Sequence, residues 1–231
     1  MSLFVVTIDG PAASGKSTVA RRVARQIGAT FLDTGAMYRA VTWAAMQDGV
    51  DWNDQEQLAG VVERHAFAFE AADDAMLVCV DGIDITEKIR DPELTANVRY
   101  IASSGPLRAK LVEMQQALAR RFGRVVTEGR DQGTVAFPDA DAKFYLVADA
   151  TERARRRKID LEAQGVAADL DELRRTIEAR DRSDESRAVG PLRPAADSIC
   201  VDTTRLTVED VVQCLLGHIN AGQNANSKMQ K

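Results

Sequence analysis

Residues 10–17 follow the pattern Gly-x-x-x-x-Gly-Lys-Ser, the spacing of a phosphate-binding loop, or P-loop. In such a loop, successive backbone N–H groups turn towards a phosphate, and the helix that follows adds the positive end of its dipole. Lys16 would reach the β- and γ-phosphates of a nucleoside triphosphate, and the Ser17 hydroxyl would help to hold Mg²⁺. The predicted triphosphate site consists of Gly10, Pro11, Ala12, Ala13, Ser14, Gly15, Lys16, Ser17 and Thr18.

The residues on either side of this loop have the order that the motif requires. Residues 4–8 are β-branched and aromatic, as in a buried strand. Apolar residues then recur at helical spacing from Val19 to Ile27, and Gly28 can end that helix. A chance match in a glycine-rich turn would not require this context, so we interpret the pattern as a P-loop.

A second group of polar residues follows a second short strand, residues 30–32. Ligands of open α/β sheets bind at the carboxyl ends of the strands, which makes Thr34, Tyr38 and Arg39 candidates for the site. Tyr38 and Arg39 lie about one helical turn beyond Thr34, on the same face of a predicted helix. The alternatives are a half-buried aromatic side chain for Tyr38 and a solvated charge for Arg39.

A third strand, residues 125–127, leads into a loop in which charged residues lie between two glycines, residues 128–134. The arrangement repeats the one after the second strand, although a solvated loop could carry the same charges. Further strands are predicted at residues 143–147 and 198–201.

The segment from residue 153 to residue 187 contains nine arginines and one lysine, in a chain whose formal net charge is −5. Because an arginine fork binds phosphate with two parallel hydrogen bonds, this density is typical of a phosphoryl-transfer site. Acidic residues are interspersed, so many of these arginines are expected to form salt bridges on exposed helices instead. We expect three or four of them to contact phosphate.

Residues 66–90 interrupt the alternation of strands and helices. Residues 76–80 are apolar, and Asp81-Gly82 is a strong hairpin signal before the next apolar residues. The pattern predicts a small antiparallel insertion in an otherwise parallel α/β fold.

The composition bounds the class of protein. A chain of 231 residues, 45% hydrophobic and 28% charged, is typical of a soluble α/β domain, and its acidic charge disfavours a nucleic-acid surface. Cys79, Cys200 and Cys214 have no metal-ligand spacing and suit a reducing compartment. No apolar run reaches the ~18–20 residues that span a membrane, and the early first strand leaves no room for a signal peptide. We expect a cytoplasmic protein without a membrane partner and, since no apolar stripe demands a dimer, a monomer.

Several motifs, spread nearly from end to end, resemble those of the bacterial cytidylate kinases, a family of nucleoside monophosphate kinases. They are Ile8-Asp9-Gly10-Pro11 with the P-loop; Leu32-Asp33-Thr34-Gly35-Ala36-Met37-Tyr38-Arg39; Asp84-Ile85-Thr86 with Ile89-Arg90; Gly129-Arg130-Asp131-Gln132-Gly133-Thr134-Val135 with Phe137-Pro138-Asp139-Ala140; Arg180-Asp181-Arg182-Ser183-Asp184 with Arg187 and Pro191-Leu192; and Ala195-Ala196-Asp197 with Val201-Asp202-Thr203. The P-loop is common to many kinases and ATPases, whereas the second, fourth and fifth groups are much more specific.

The resemblance implies a three-layer α/β/α fold with a five-stranded parallel sheet, a small antiparallel insertion and a helical lid. The chain would be one kinase domain, residues 1–231, whose core covers about 3–34, 107–151 and 188–220. A monophosphate-binding region (about 35–106) and a lid (about 152–187) would be its mobile parts, followed by a flexible tail, 221–231.

The resemblance also implies a reaction, the Mg²⁺-dependent phosphorylation of CMP or dCMP by ATP. The implied CMP site consists of Thr34, Tyr38, Arg39, Arg108, Arg130, Asp131, Arg180, Asp184 and Arg187. Arg39, Arg108 and Arg130 would hold the monophosphate, while the carboxylates of Asp131 and Asp184 suit hydrogen bonds to cytosine and sugar.

The implied catalytic groups are Lys16 and Arg130 with Arg153 and Arg157, the last two reaching the ATP phosphates from the lid. Ser17, with Asp33 directly or through water, would hold the metal.

The chain departs from the family pattern at two places. Arg99 stands where the family commonly has a serine that contacts the nucleotide, so either Ser103 or Ser104 replaces that contact or it is lost. Gln115-Gln116 stands where glutamine followed by arginine is common.

Two other functions remain open on the sequence alone. One is a P-loop kinase for another small acceptor, such as a different nucleoside monophosphate or a metabolite alcohol. An alcohol acceptor would want a carboxylate base, and Asp33 could serve. A nucleotide switch that works by binding partners is disfavoured, because the chain has no Asn-Lys-x-Asp stretch to read guanine. No apolar strand ending in Asp-Glu, as a motor ATPase would need, is obvious either.

Overall fold

The computed structural model describes residues 3–72, 75–163 and 165–229. The strands are β1 (Phe4–Asp9), β2 (Thr30–Asp33), β3 (Phe67–Ala72), β4 (Ala75–Val80), β5 (Ile83–Asp84), β6 (Arg124–Gly129), β7 (Ala142–Val147) and β8 (Ile199–Asp202). The helices are α1 (Lys16–Gln26), α2 (Thr34–Asp48), α3 (Gln55–Arg64), α4 (Pro92–Ser103), α5 (Gly105–Phe122), α6 (Ala150–Ala163), α7 (Leu170–Glu185) and α8 (Val208–Met229). A 3₁₀ turn (Lys88–Arg90) and a π-helical turn (Gln132–Ala136) complete the regular structure.

The central sheet has the strand order β2-β6-β1-β7-β8, and every neighbouring pair is parallel. Strand β1, which leads into the P-loop, therefore lies in the middle. Parallel strands bring their carboxyl ends to one edge, so the residues after β1, β2 and β6 meet there. The expected five-stranded parallel sheet is confirmed.

The two faces of this sheet are covered by different helices because successive side chains alternate between the faces. Val5 and Val125 pack into one core with α2, α3, α4 and α5. Val6 and Val126 pack into the other with α1 and α8. The result is the expected three-layer arrangement.

The small insertion is a three-stranded antiparallel sheet of β3, β4 and β5. Asp81 and Gly82 join β4 to β5 with φ values of 52° and 78°, the pair of positive values that a tight type I′ hairpin turn requires. Phe69, Met76 and Val78 lie on its buried face and join the core around α2. The predicted insertion is confirmed.

The structure adds a helix that the sequence pattern did not indicate. Helix α3 buries only Leu58 and Val61, so its apolar periodicity is weak. Its start carries a capping signal nonetheless, because the Asp54 carboxylate accepts hydrogen bonds from the backbone N–H groups of Glu56 and Gln57.

Helix α8 continues to Met229 and so gives helical backbone to most of the segment expected to be a tail, residues 221–231. Residues 230 and 231 lie outside the described part of the chain. The flexibility of this segment stays a prediction, as does the division into core, monophosphate-binding region and lid. No helix in the described residues is long and apolar enough to cross a membrane.

Leu215→Ala tests the packing of α8 on the sheet. Leu215 is fully buried, so the shortened side chain should leave a cavity and lower the free energy of unfolding by about 2–5 kcal/mol in urea denaturation. Leu206→Ala, at a position that is 38% exposed, is the matched control and should cost less than about 0.5 kcal/mol. Equal effects of the two substitutions would contradict this placement of α8.

Candidate active site

An open cavity of about 340 Å³ lies at the carboxyl ends of β1, β2 and β6. The P-loop lines it together with side chains from α1, α2, α5, α6, α7 and the loop after β6. The sheet topology therefore brings together residues that are far apart in the sequence.

The P-loop owes its path to two glycines. A Cβ atom at Gly10 would lie 2.1 Å from the carbonyl oxygen of Leu146, so only glycine allows β1 to turn this close to β7. Gly15, at the start of α1, has a φ of 88°, a conformation that residues with a side chain rarely adopt.

Lys16 is folded back onto the loop. Its Nζ donates to the carbonyl oxygen of Pro11 at 2.6 Å and to Ser14 Oγ at 3.4 Å. Burial, followed by the positive charge of Arg130, lowers the pKa of Lys16 to about 7. Among the residues that the structure describes, no carboxylate is in direct contact with this amine.

Two carboxylates stand beside the start of α1. Asp33 and Glu128 are direct neighbours in the pairing of β2 with β6, and Ser17 Oγ donates to Glu128 Oε1 at 2.9 Å. Burial and then the charge of Glu128 raise the pKa of Asp33. One hydroxyl and two carboxylates are oxygen ligands of the kind that Mg²⁺ binds. A protein site for Mg²⁺ needs only a few such ligands, because phosphate and water oxygens complete the coordination shell. The donor set therefore fits Mg²⁺, although no cluster of three or more His, Cys, Asp or Glu with metal-binding geometry occurs in the described residues.

Part of the lining consists of arginines paired with buried carboxylates. Arg108 donates through Nη2 to Asp131, and both side chains are almost completely buried. Asp184 accepts from Arg130 Nε at 2.7 Å and from Arg187 Nη2. Burial alone would raise the pKa of Asp184, but the charges of Arg130 and Arg187 bring it below its usual value.

Other cations in the cavity have no such partner. Arg39, Arg157 and Arg180 line it, and the guanidinium group of none of them makes a hydrogen bond or an ion pair with another of the described residues. Burial, followed by the charge of Arg130, lowers the pKa of Arg180 to about 10. Guanidinium groups left unpaired in a cleft suit an anionic ligand.

The charge of the lining is opposite in sign to that of the chain. Nine cationic side chains face four carboxylates, an excess of five positive charges in a protein with a net charge of −5. The cations are Lys16, Arg21, Arg39, Arg90, Arg108, Arg130, Arg157, Arg180 and Arg187. The acidic groups are Asp33, Glu128, Asp131 and Asp184.

Most of the residues predicted from the sequence meet in this cavity. They are Ala12, Ala13, Lys16, Ser17, Asp33, Thr34, Tyr38, Arg39, Arg108, Arg130, Asp131, Arg157, Arg180, Asp184 and Arg187. Gly10, Pro11, Ser14, Gly15 and Thr18 belong to the P-loop and its helix without lining the cavity.

Arg153 is the exception among the predicted arginines, since it does not line the cavity. Its Nη1 donates to the carbonyl oxygen of Ala12 at 3.1 Å and to Asp181 Oδ2 at 2.5 Å. Asp181 Oδ1 in turn accepts from the backbone N–H of Ala12 at 3.3 Å. This buried pair therefore ties α6 and α7 to the P-loop backbone.

The sequence analysis assigned no individual role to several lining residues, above all Glu128, Arg21, Arg90 and Gln132. Glu128 directly follows the apolar residues 125–127 within β6, which was a usable signal. Arg21 lies one helical turn after Ser17 and on the same face, which was another.

The departures from the family pattern have structural counterparts. Arg99 is exposed and lies over the ring of Tyr100, 4.8 Å from its centroid, while Val98 and Ala102 form the cavity wall. Neither Ser103 nor Ser104 lines the cavity, so a substitute contact from either stays a prediction. In the second departure, Gln115 accepts from Gln132 Nε2 at 3.2 Å, and Gln116 donates to the carbonyl oxygen of Ala136.

Comparison with known proteins identifies the family. The profile of the cytidylate kinase family matches residues 6–221. The chain belongs to the cytidylate kinase family. A cytidylate kinase of Desulfitobacterium hafniense is 44% identical over 215 residues, which are 93% of this chain and 92% of that protein. A cytidylate kinase of Leuconostoc mesenteroides is 42% identical over 212 residues, 92% of this chain and 94% of that one. The resemblance inferred from the motifs is confirmed.

Among solved structures, the crystal structure of an uncharacterized protein from Eubacterium ventriosum has a TM-score of 0.53 and is 12% identical. The similarity covers 95% of this chain and 99% of that one. At this identity it establishes a shared fold and nothing further.

Asp181→Ala tests the buried pair. The substitution leaves the Arg153 guanidinium buried without its carboxylate and removes the acceptor of the Ala12 N–H. We expect the free energy of unfolding in urea to fall by about 3 kcal/mol or more. Glu162→Ala, which breaks the exposed pair with Lys158, is the control and should cost less than about 0.5 kcal/mol. A loss for Asp181→Ala as small as the control's would contradict the role of this pair.

Proposed function

We propose that this cavity transfers the γ-phosphoryl group of ATP to CMP or dCMP, with the P-loop holding the donor and the arginine wall the acceptor. ATP-dependent phosphorylation of CMP and dCMP is the reaction of the cytidylate kinase family, to which the chain belongs. The observation that carries the residue assignment is that a P-loop and a second cluster of cations line the same cavity.

On the donor side, the backbone N–H groups of residues 10–18 would surround the phosphates of ATP, as the helix dipole and loop geometry favour. Lys16 would leave its contact with Pro11 and place its ammonium group on the β- and γ-phosphates. Arg157 would meet the same phosphates from α6, because its side chain is free and lines the cavity. Arg153 would also contact these phosphates, and to do so its guanidinium group would have to leave Asp181.

Ser17, Asp33 and Glu128 would hold Mg²⁺, directly or through water, since their oxygens lie together beside the P-loop. When bound with ATP, Mg²⁺ neutralises negative charge on the phosphates. The Asp33 carboxylate is held in place because it is also the N-cap of α2, where it accepts from the Ala36 N–H at 2.9 Å.

On the acceptor side, Arg39, Arg108 and Arg130 would bind the monophosphate of CMP. Asp131 and Asp184 would then accept from the cytosine amino group and the sugar hydroxyls, as a carboxylate suits. Arg180 and Arg187 would complete this side with Thr34 and Tyr38. Burial raises the pKa of Tyr38 to about 12, so it stays a phenol and can donate.

No general base is needed for the transfer. The acceptor phosphate has a second pKa of ~6 and is already a dianion at neutral pH. Catalysis then consists of positioning and of stabilising the charge spread over the transferred group. We propose that α6 and α7 act as a lid over the site, which would also exclude water that could hydrolyse ATP.

We further propose that the protein works as a monomer in the cytoplasm. The support is general: its nucleotide substrates, its free cysteines and the lack of an apolar stripe in the sequence.

An acceptor panel tests the assignment of the substrate. Purified protein is given Mg-ATP with CMP, dCMP, UMP, AMP or GMP, and ADP release is measured at each acceptor concentration. We expect the highest kcat/KM for CMP and dCMP. A preference of many-fold for UMP or AMP over CMP would overturn the assignment.

The lowered pKa of Lys16 predicts a proton linkage. At pH 8 the amine of the free protein is largely neutral, and contact with phosphate favours its charged form, so ATP binding should take up close to one proton. ATP affinity should therefore fall as the pH rises above about 7. Titration calorimetry of Mg-ATP in buffers of different ionisation enthalpy measures the uptake. Lys16→Met should abolish it, whereas Lys158→Met, on the exposed surface of α6, should keep it; uptake that persists in Lys16→Met would refute the linkage.

A further inference from the structure

Asp9 is a buried carboxylate to which the proposed reaction gives no task. It ends β1, directly before Gly10, and only 4% of its surface is exposed. Its Oδ1 accepts the backbone N–H of Gln132 at 2.9 Å, and its Oδ2 accepts that of Gly133 at 2.7 Å. Both oxygens are therefore occupied by the loop that follows β6.

The two N–H groups belong to the residues immediately after Arg130 and Asp131. Those two side chains line the acceptor wall and pair with Asp184 and Arg108. Strand β6 ends at Gly129, so the sheet does not bind the backbone N–H groups of Gln132 and Gly133. The Asp9 carboxylate accepts these two N–H groups instead.

The loop is shaped to receive this carboxylate. A Cβ atom at Gly133 would lie 2.9 Å from Thr7 Oγ1 and 3.4 Å from Asp9 Oδ2, so the backbone approaches β1 as closely as it can. The Gln132 side chain adds a second attachment, since its Oε1 accepts from Thr127 Oγ1 at 3.0 Å. The turn that begins at Gln132 is thus bound on both sides.

We propose that Asp9 is a positioning residue that fixes Arg130 and Asp131 for the acceptor and joins their loop to the P-loop. The inference rests on the proposed acceptor site. Because Asp9 and Gly10 are consecutive, the segment that holds the donor and the segment that holds the acceptor share one rigid attachment at the end of β1.

The attachment depends on the charge of Asp9. Burial is the main cause that raises its pKa to about 6. The charged and titratable groups near it are Lys16 from the P-loop, Asp131 from the loop after β6 and Tyr145 from β7, while Lys143 of β7 lies beside Gly133. Below this pKa the carboxyl group carries a proton on one oxygen, which can no longer accept well, and one of the two N–H groups loses its partner.

Asp9→Asn is the decisive variant, because its amide keeps one accepting oxygen and turns an N–H donor towards the other backbone N–H. We expect the KM for CMP to rise about tenfold to a hundredfold, as for the loss of one buried hydrogen bond, and the KM for ATP to change less than about threefold. Asp141→Asn is the matched control, since Asp141 Oδ2 accepts the Val5 N–H at 2.8 Å near the opposite end of β1. It should leave both constants unchanged.

The pH profile separates this role from a merely structural one. CMP itself titrates near pH 6, but that effect cancels in the ratio of kcat/KM for CMP between wild type and Asp9→Asn. The ratio should be largest at pH 8 and shrink towards pH 5.5. Equal increases in the two KM values, an unchanged KM for CMP, or a ratio independent of pH would each overturn the proposal.

Two further measurements keep the proposal distinct from the function on which it rests. Arg130→Ala should raise the KM for CMP; if it does not, the proposed acceptor site fails whatever Asp9→Asn does. Should Asp9→Asn not fold, amide exchange of the ligand-free wild type decides. Protection of Gln132 or Gly133, relative to Val5, should fall between pH 7.5 and 5.5, and constant protection of both would overturn the proposal.

Discussion

Repulsion between closely spaced cations is the constraint on which this site depends. Nine cationic side chains line one cavity, and each lowers the stability of its neighbours' charges. The pKa values of Lys16 and Arg180 are lowered by burial first and then by the charge of Arg130. Asp131 and Asp184 offset part of the repulsion by pairing with the most buried arginines. The cations that have no carboxylate partner leave an excess of positive charge, which the phosphates of two nucleotides would neutralise.

The fold makes this concentration of charge possible because it delivers the cations from several rigid elements. Lys16 comes from α1, Arg39 from α2, Arg108 from α5 and Arg180 from α7. A single helix could not place so many like charges together, since its own neighbours would repel one another. The rest of the surface is acidic enough to leave the chain with a net negative charge.

The sequence predicted what depends on local spacing and missed what depends on packing. The P-loop, the hairpin at Asp81-Gly82 and the parallel strands follow from glycines and apolar runs that act over a few residues. Helix α3 was missed because only Leu58 and Val61 face the core. Arg153 and Arg157 look alike in the sequence, yet four residues along one helix separate a side chain that holds the P-loop from one that faces the cavity. The place of Glu128 in the site depends on its contact with Ser17, which is 111 residues away in the sequence.

The contact of Arg153 and Asp181 with Ala12 would determine how α6 and α7 move if they act as the proposed lid. It acts as a pivot, because it joins both helices to the loop at a single point. Any rotation about this point carries the far end of α6, about ten residues or ~15 Å along the axis, through a wide arc. Arg157 lies only one turn from the pivot and travels a short distance. If α6 and α7 form the proposed lid, its tip would open to solvent while Arg157 stayed almost in place.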